Sequence, residues 1–194
     1  AGDVARAILL LKSHNIKTSI HLMVGLPLDT EESFMDTVQQ TIKIGPTMVR
    51  IHPTLVFSGT PLAELWEQGR YSPLSLEEAV TLCAKATAMF LAKDIAVIRL
   101  GLQLSEDCIN PPIAGPYHPS LGSLVYKKML SENAHQHFSQ CSYQGKDIVV
   151  TVSLKDRGIV GSLQKEWKQH FGIDNVVLHT SKEQKRGSLE VSWT

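Results

Sequence analysis

Arg50 and His52 stand inside an apolar run, Met48 to Phe57, where a core has no use for a guanidinium or an imidazole. The run ends in the turn Ser58-Gly59-Thr60-Pro61, so it reads as a strand that carries polar groups on one of its faces. Arg99 lies near the end of a later apolar stretch, Ile95 to Leu100, with Gln103 just beyond it. An inward guanidinium is a fixed fork of donors for carboxylate or phosphate oxygens, which makes Arg50, Thr54, Arg99 and Gln103 candidates for a polar ligand. The competing role for either arginine is to pair with an acid inside the fold, or to lie along a rim with its head in water. Upstream, Gly25-Leu26-Pro27-Leu28-Asp29-Thr30 joins an apolar strand to a helix. Glycine lets backbone approach a ligand there and the helix start offers free amides, although an ordinary βα turn has the same composition.

Other chemistries find less support. His135, His137 and Cys141 imitate a metal spacing without a fourth ligand, and a solvated helix end accounts for them. Cys83, Cys108 and Cys141 are widely spaced and in no CxxC arrangement, which argues for a reducing cytoplasm and against a disulfide framework. The hydrolase elbow GxSxG, the dinucleotide pattern GxGxxG and the Walker A pattern are absent. Gly115-Pro116-Tyr117-His118-Pro119 reads as a structural brace.

The elements that must position these groups follow from periodicity. Val4, Ala7, Ile8 and Leu11 recur at helical spacing, and Thr18 to Val24 alternates, with Ile20, Leu22 and Val24 on one side and His21 and Met23 on the other. A helix is expected over 31–44, with Asp29 or Thr30 as its cap and Phe34, Val38 and Ile42 as its stripe. In the Met48 strand the same alternation turns Val49 and Ile51 toward helices and Arg50, His52 and Thr54 the other way. Pro53 cannot donate to a ladder and points to an edge or a bulge, in agreement with a last strand. Ser75, three residues before Glu78, opens a helix from Leu76 to Lys93 through a reciprocal cap. The stretch from Leu104 to Ser120 holds four prolines and reads as a linker. Beyond it come a helix over 121–138, a strand over 147–153, a helix over 155–171, and strands over 175–180 and 188–193.

With 194 residues, 43% apolar and 20% charged, the chain can build one real core, or a part-domain and a small second one. Nineteen basic and nineteen acidic residues cancel, so no global charge draws it to nucleic acid or lipid. From Lys146 onward 8 basic residues face 6 acidic ones, an excess too small to mark a nucleic-acid footprint by count. No apolar stretch is long enough to span a membrane. The chain opens without Met directly into a helical pattern and is expected to be a fragment of a longer protein.

Two blocks, HLMVGLPLDTEESF and IHPTLVFSGTPLAELWEQGRYSPLSLEEAV, carry a resemblance that runs from about Ala5 to Gln103. This stretch closely resembles the radical S-adenosylmethionine (SAM) enzymes related to the catalytic subunit of Elongator. The resemblance implies a partial (β/α)6, TIM-like barrel with a [4Fe-4S] cluster on a CxxxCxxC loop, and cleavage of SAM to a 5'-deoxyadenosyl radical. No CxxxCxxC occurs here. The implied class is therefore α/β, the C-terminal part of such a barrel over 1–103, a linker over 104–120 and a small α+β domain over 121–194. Its implied partner is the missing N-terminal half, and this chain alone is expected to be inactive. The family's fifth and sixth strands line the adenine side of SAM, which carries that role onto Met23, Gly25, Leu26, His52 and Leu55. Elongator-like proteins continue into an acetyltransferase domain, whereas this tail is too short and has no Gly-rich pyrophosphate loop. The substrate is therefore open, and tRNA enters by family analogy alone. The alternative is a non-catalytic module that docks RNA or protein, with Trp167 and Trp193 among Lys165, Lys168 and Lys185 as its best support.

Overall fold

The computed structural model describes residues 2–104, 110–140 and 147–193. Cys108 and Cys141 lie outside them, as does part of the proline-rich stretch. The chain divides into two compact units, Ala1–Gly122 and Ser123–Thr194.

The first unit is a run of βα repeats. After α1 (Gly2–Ser13), the strand β1 (Ser19–Val24) leads through α2 (Glu31–Ile44) to β2 (Met48–Pro53). The chain continues through β3 (Val56–Phe57), α3 (Pro61–Glu67) and α4 (Leu76–Leu91) to β4 (Ala96–Leu100). β1, β2 and β4 form a parallel sheet in that order, with β2 in the middle. Right-handed crossovers that step in one direction put both long helices on one face. Consistent with that, α2 packs on α4, and α4 on β1 and β4. Local chemistry sets the helix starts. The Thr30 hydroxyl accepts from the Ser33 amide, and Ser75 and Glu78 exchange bonds of 3.2 and 2.8 Å across the first turn of α4.

The alternation read from the sequence is the one observed. Leu22, Val24, Val49 and Ile51 are buried with Phe34, Val38, Ala79, Cys83 and Phe90, each large side chain adding roughly 1.5–3 kcal/mol on burial. Two expectations are corrected. Pro53 does not mark an edge: β2 is the central strand, and the proline is tolerated because it is the last residue of the ladder. The α1 stripe is also poorly covered, since Ile8 is buried while Val4 and Leu11 are exposed. Within the proline-rich stretch, Pro112–Ala114 form β5, antiparallel to β3.

The second unit contains most of α5 (Leu121–Gln140), then β6 (Asp147–Ser153), a 3-10 turn (Leu154–Asp156) and α6 (Arg157–Phe171). β7 (Asn175–Ser181) and β8 (Leu189–Trp193) complete a sheet of order β7-β6-β8, parallel on one side of β6 and antiparallel on the other. Leu130, Phe138, Ile148, Val150, Leu163 and Trp167 make its core. Trp167 is fully buried, so it packs that core and offers no face on which a base could stack.

Candidate functional site

The face of the parallel sheet opposite α2 and α4 carries the polar side chains. In register, His21 stands beside Arg50, and Arg50 beside Arg99, while Met23 stands beside His52. A β-bulge between Val49 and Arg50 resets the pairing, which places Arg99 rather than Ile98 next to Arg50. The His21 and His52 rings are 5.9 Å apart, centroid to centroid. Arg50 is half-buried, and its Nε is buried without a hydrogen-bond partner among the described residues.

The groups gathered on this face act on the protonation of one of them, His52. Partial burial holds the His52 imidazole below its ordinary range, and the charges of His21, Arg99 and Arg50 push it further down; a backbone hydrogen bond with Gly101 acts in the opposite direction. His52 is thus neutral near pH 7, and Arg50 and Arg99 give the face a fixed positive charge. Such a face accepts a carboxylate or phosphate and has an imidazole next to it to orient a polar group.

Beyond the strand ends the chain is shaped by two glycines. Gly25 follows β1 with φ +79°, and a Cβ there would lie 2.8 Å from Leu74 Cδ1. Gly115 follows β5 with φ +106°, and its Cβ would lie 2.9 Å from the Thr54 carbonyl oxygen and 3.2 Å from Leu55 Cα. The two close approaches pin the loops after β1 and β2. Tyr71, buried before α4, donates its hydroxyl to the Gly25 carbonyl oxygen at 2.6 Å. Thr54 is buried, and both its amide and its hydroxyl donate to the Val24 carbonyl at 2.9 Å, tying the end of β2 to that of β1. Met23 and Leu26 are exposed, and Leu55 is half-buried. Gln103 is exposed three residues past β4.

The structure therefore brings His21, Met23, Arg50, His52 and Arg99 together, with Gly25 and Leu26 at the adjoining strand end. Sequence reasoning missed Tyr71 and Leu74, and it read Gly115 as part of a brace without naming Thr54 and Leu55 as what it lies against. Tyr71 and Leu74 sit in the GRYSPLS stretch already singled out for its helix cap, and what betrays them is the pairing with Gly25, 46 residues away for Tyr71.

Among the described residues no three His, Cys, Asp or Glu side chains are grouped as a metal ion requires. His135 is occupied otherwise, its Nδ1 2.8 Å from the Ser131 carbonyl oxygen. Cys83 is fully buried, and burial pushes its thiol up to about 12, the opposite of what an iron ligand needs.

Residues 46–131 match the Radical_SAM C-terminal domain. The tRNA uridine(34) acetyltransferase of Methanocaldococcus jannaschii is 32% identical over 130 residues, which cover 66% of this chain and 23% of that protein. The chain belongs with the radical SAM proteins related to the Elongator catalytic subunit. Elongator complex protein 3 of Mus musculus is 34% identical over 125 residues, 62% of this chain and 22% of that protein. The solved structure of archaeal Methanocaldococcus infernus Elp3 with residues 1–46 deleted matches at a TM-score of 0.54 and 27% identity, over 72% of this chain and 35% of that one. The fold is accordingly α/β, part of a radical SAM fold with a small α+β unit after it. The chain spans about a quarter of the length of these curated relatives.

The family uses SAM and a [4Fe-4S] cluster, and the described residues fit the two differently. An orphaned Arg50 Nε, exposed Met23 and Leu26 and a glycine-shaped loop suit one wall of a site for a molecule with an aromatic base and a carboxylate. The described residues do not fit the cluster, because Cys83 is buried in α4 and no ligand group accompanies it.

Proposed function

We propose that this chain is the C-terminal portion of a radical SAM iron-sulfur enzyme, contributing the SAM-adenine and substrate wall of the site. The observation that carries the reading is the row of His21, Arg50 and Arg99 beside Met23 and His52 on the sheet face that α2 and α4 leave free. In a parallel βα sheet, ligands are bound at the carboxyl ends of the strands, where Gly25, Thr54 and Gly101 follow β1, β2 and β4.

In this reading Met23, Gly25, Leu26, His52 and Leu55 approach the adenine, and Arg50, Thr54, Arg99 and Gln103 serve the carboxylate or the substrate. Thr54 acts through the backbone of Val24, which its hydroxyl holds. SAM, when bound with the cluster, supplies the radical chemistry. The residues here bind, orient and shield it from water. Residues 1–103 are the barrel part, 104–120 the connection and 121–194 the appended domain. A CxxxCxxC-bearing N-terminal half completes the barrel, and the exposed apolar side chains of α1, Leu9 and Leu10 among them, are where its packing begins. The substrate class follows the relatives' names no further than a tRNA base, and the compartment is the cytoplasm.

The test is SAM affinity by equilibrium dialysis, on this chain joined to a CxxxCxxC-bearing half. Arg50→Gln is expected to weaken binding about tenfold, the order of one charge-assisted hydrogen bond. Affinity unchanged by both Arg50→Gln and His52→Ala would remove these residues from the SAM wall.

A further inference from the structure

Arg186, in the loop between β7 and β8, is held from two sides. Its Nε donates to the buried carboxylate of Asp156 at 2.9 Å, and its guanidinium carbon lies 3.7 Å from the centroid of the Tyr126 ring. The Gly187 amide donates to the other Asp156 oxygen at 2.7 Å. The carboxylate is therefore engaged with the β7–β8 loop and makes no side-chain cap on α6, although it stands at the N-cap.

This fixed guanidinium borders a groove of about 430 Å³. Ser123 and Lys127 of α5, Lys155 of the 3-10 turn, and Gly158 and Ser162 of α6 line it as well. Its lining holds three cations and no acidic side chain. Among the described residues neither Lys127 nor Lys155 makes an ion pair. A Cβ at Gly158 would meet no atom within 4 Å beyond the helix's own backbone, so the first turn of α6 is open to approach there. Gly158, Ser162 and exposed Lys165 follow at i, i+4 and i+7 on one helix face, with exposed Glu166 bordering it at i+8.

We propose that this groove binds a ligand carrying at least two phosphate groups. The three cations Lys127, Lys155 and Arg186 are donors only, while the Ser162 hydroxyl gives its proton to the Ile159 carbonyl oxygen at 2.8 Å, and phosphate is an acceptor-rich anion of charge about −1.5 to −2 as a monoester. A rigid arginine fork gives directional bonds, and two lysines add point charges that adapt to the ligand. With Arg186 fixed and Lys127 and Lys155 on separate elements, the three cations exceed what one phosphate needs. The chemistry is met by a nucleoside polyphosphate or by consecutive phosphates of a nucleic-acid strand. The inference stands apart from the SAM site and does not depend on it.

The experiment uses the whole chain with three probes: pyrophosphate and a nucleoside triphosphate by calorimetry, and a short fluorescein-labelled RNA oligonucleotide by anisotropy. Arg186 is left in place, because removing it would strand a buried carboxylate. Gly158→Asp is the informative variant. An acid in the first turn suits the positive end of α6, so the melting midpoint should stay level or rise, while affinity for the bound probe should fall at least about tenfold. For the oligonucleotide, Lys127→Gln should also reduce the slope of log affinity against log salt by roughly one. Triphosphate binding that the oligonucleotide fails to displace assigns the groove to a small ligand, and the converse assigns it to a strand. Absence of saturable binding by all three probes, or affinity that Gly158→Asp leaves unchanged, overturns the proposal.

Discussion

The Tyr71 hydroxyl donates to the Gly25 carbonyl oxygen at 2.6 Å, tying the segment before α4 to the loop that follows β1. Burial raises the phenol above its ordinary range, so the donor keeps its proton across the working pH range. Tyr71→Phe should cost about 1 kcal/mol of stability, the net value of one such bond, and it should loosen the loop that borders the SAM wall. Urea unfolding measures the first effect and amide hydrogen exchange around Gly25 the second. A variant as stable as the parent, with unchanged exchange, would show that the bond does not hold the loop.

Gly25→Ala should be worse than Tyr71→Phe. The position has φ +79°, and the new methyl would press on the Leu74 side chain at 2.8 Å, so strain and overlap add to at least about 1 kcal/mol. Leu74→Ala in the same chain should recover part of the loss by removing the overlap, leaving the strain. Denaturant midpoints of the single and double variants separate the two contributions.

His52 gives the site a pH dependence whose sign is fixed. Its folded pKa lies below the ordinary 6.5, so the unfolded chain takes up the proton more readily than the folded one. The stability it contributes is fully present above about 6.5 and is lost as pH falls through the lower, folded value. A ring-proton NMR titration should place the His52 midpoint below 6.5, and Arg99→Gln should raise it without reaching 6.5, because burial is the larger cause. A midpoint at or above 6.5 in the parent protein would mean that the imidazole is more solvated than the geometry shows.

Much of the first unit was legible because its signals are local. Leu22, Val24, Val49 and Ile51 alternate with polar neighbours at period two, and the Ser75/Glu78 cap needs only four residues to be recognised. Pro53 misled because a proline reports a missing donor and says nothing of which side of the strand is paired; standing last in β2, it costs a central strand little. The bulge that sets Arg99 beside Arg50 is also illegible, since register between β2 and β4 depends on 40 or more residues of intervening structure. In the second unit, counting charges gave a bland answer. Position made the difference: Lys127, Lys155 and Arg186 come from three separate elements and meet at one groove.

Ligand counting gives a prediction about this chain by itself. Cys83, Cys108 and Cys141 are separated by 25 and 33 residues, and Cys83 is buried with its thiol pushed up to about 12. Anaerobic reconstitution with iron and sulfide should therefore give no stoichiometric cluster. Roughly four irons per chain with a brown chromophore, as one cluster would give, would show that the cysteines do assemble.

The proposed role of the open face of β1, β2 and β4 is that of one wall of a radical SAM site. It is tested most directly by quantifying 5'-deoxyadenosine released under reducing, anaerobic conditions from this chain joined to a CxxxCxxC-bearing N-terminal half. Release by the joined protein, none by the chain alone, and a fall of about tenfold or more with Arg50→Gln at unchanged iron content is the predicted result. Release that is indifferent to Arg50→Gln and His52→Ala, or no release from a joined protein with its cluster intact, would contradict it.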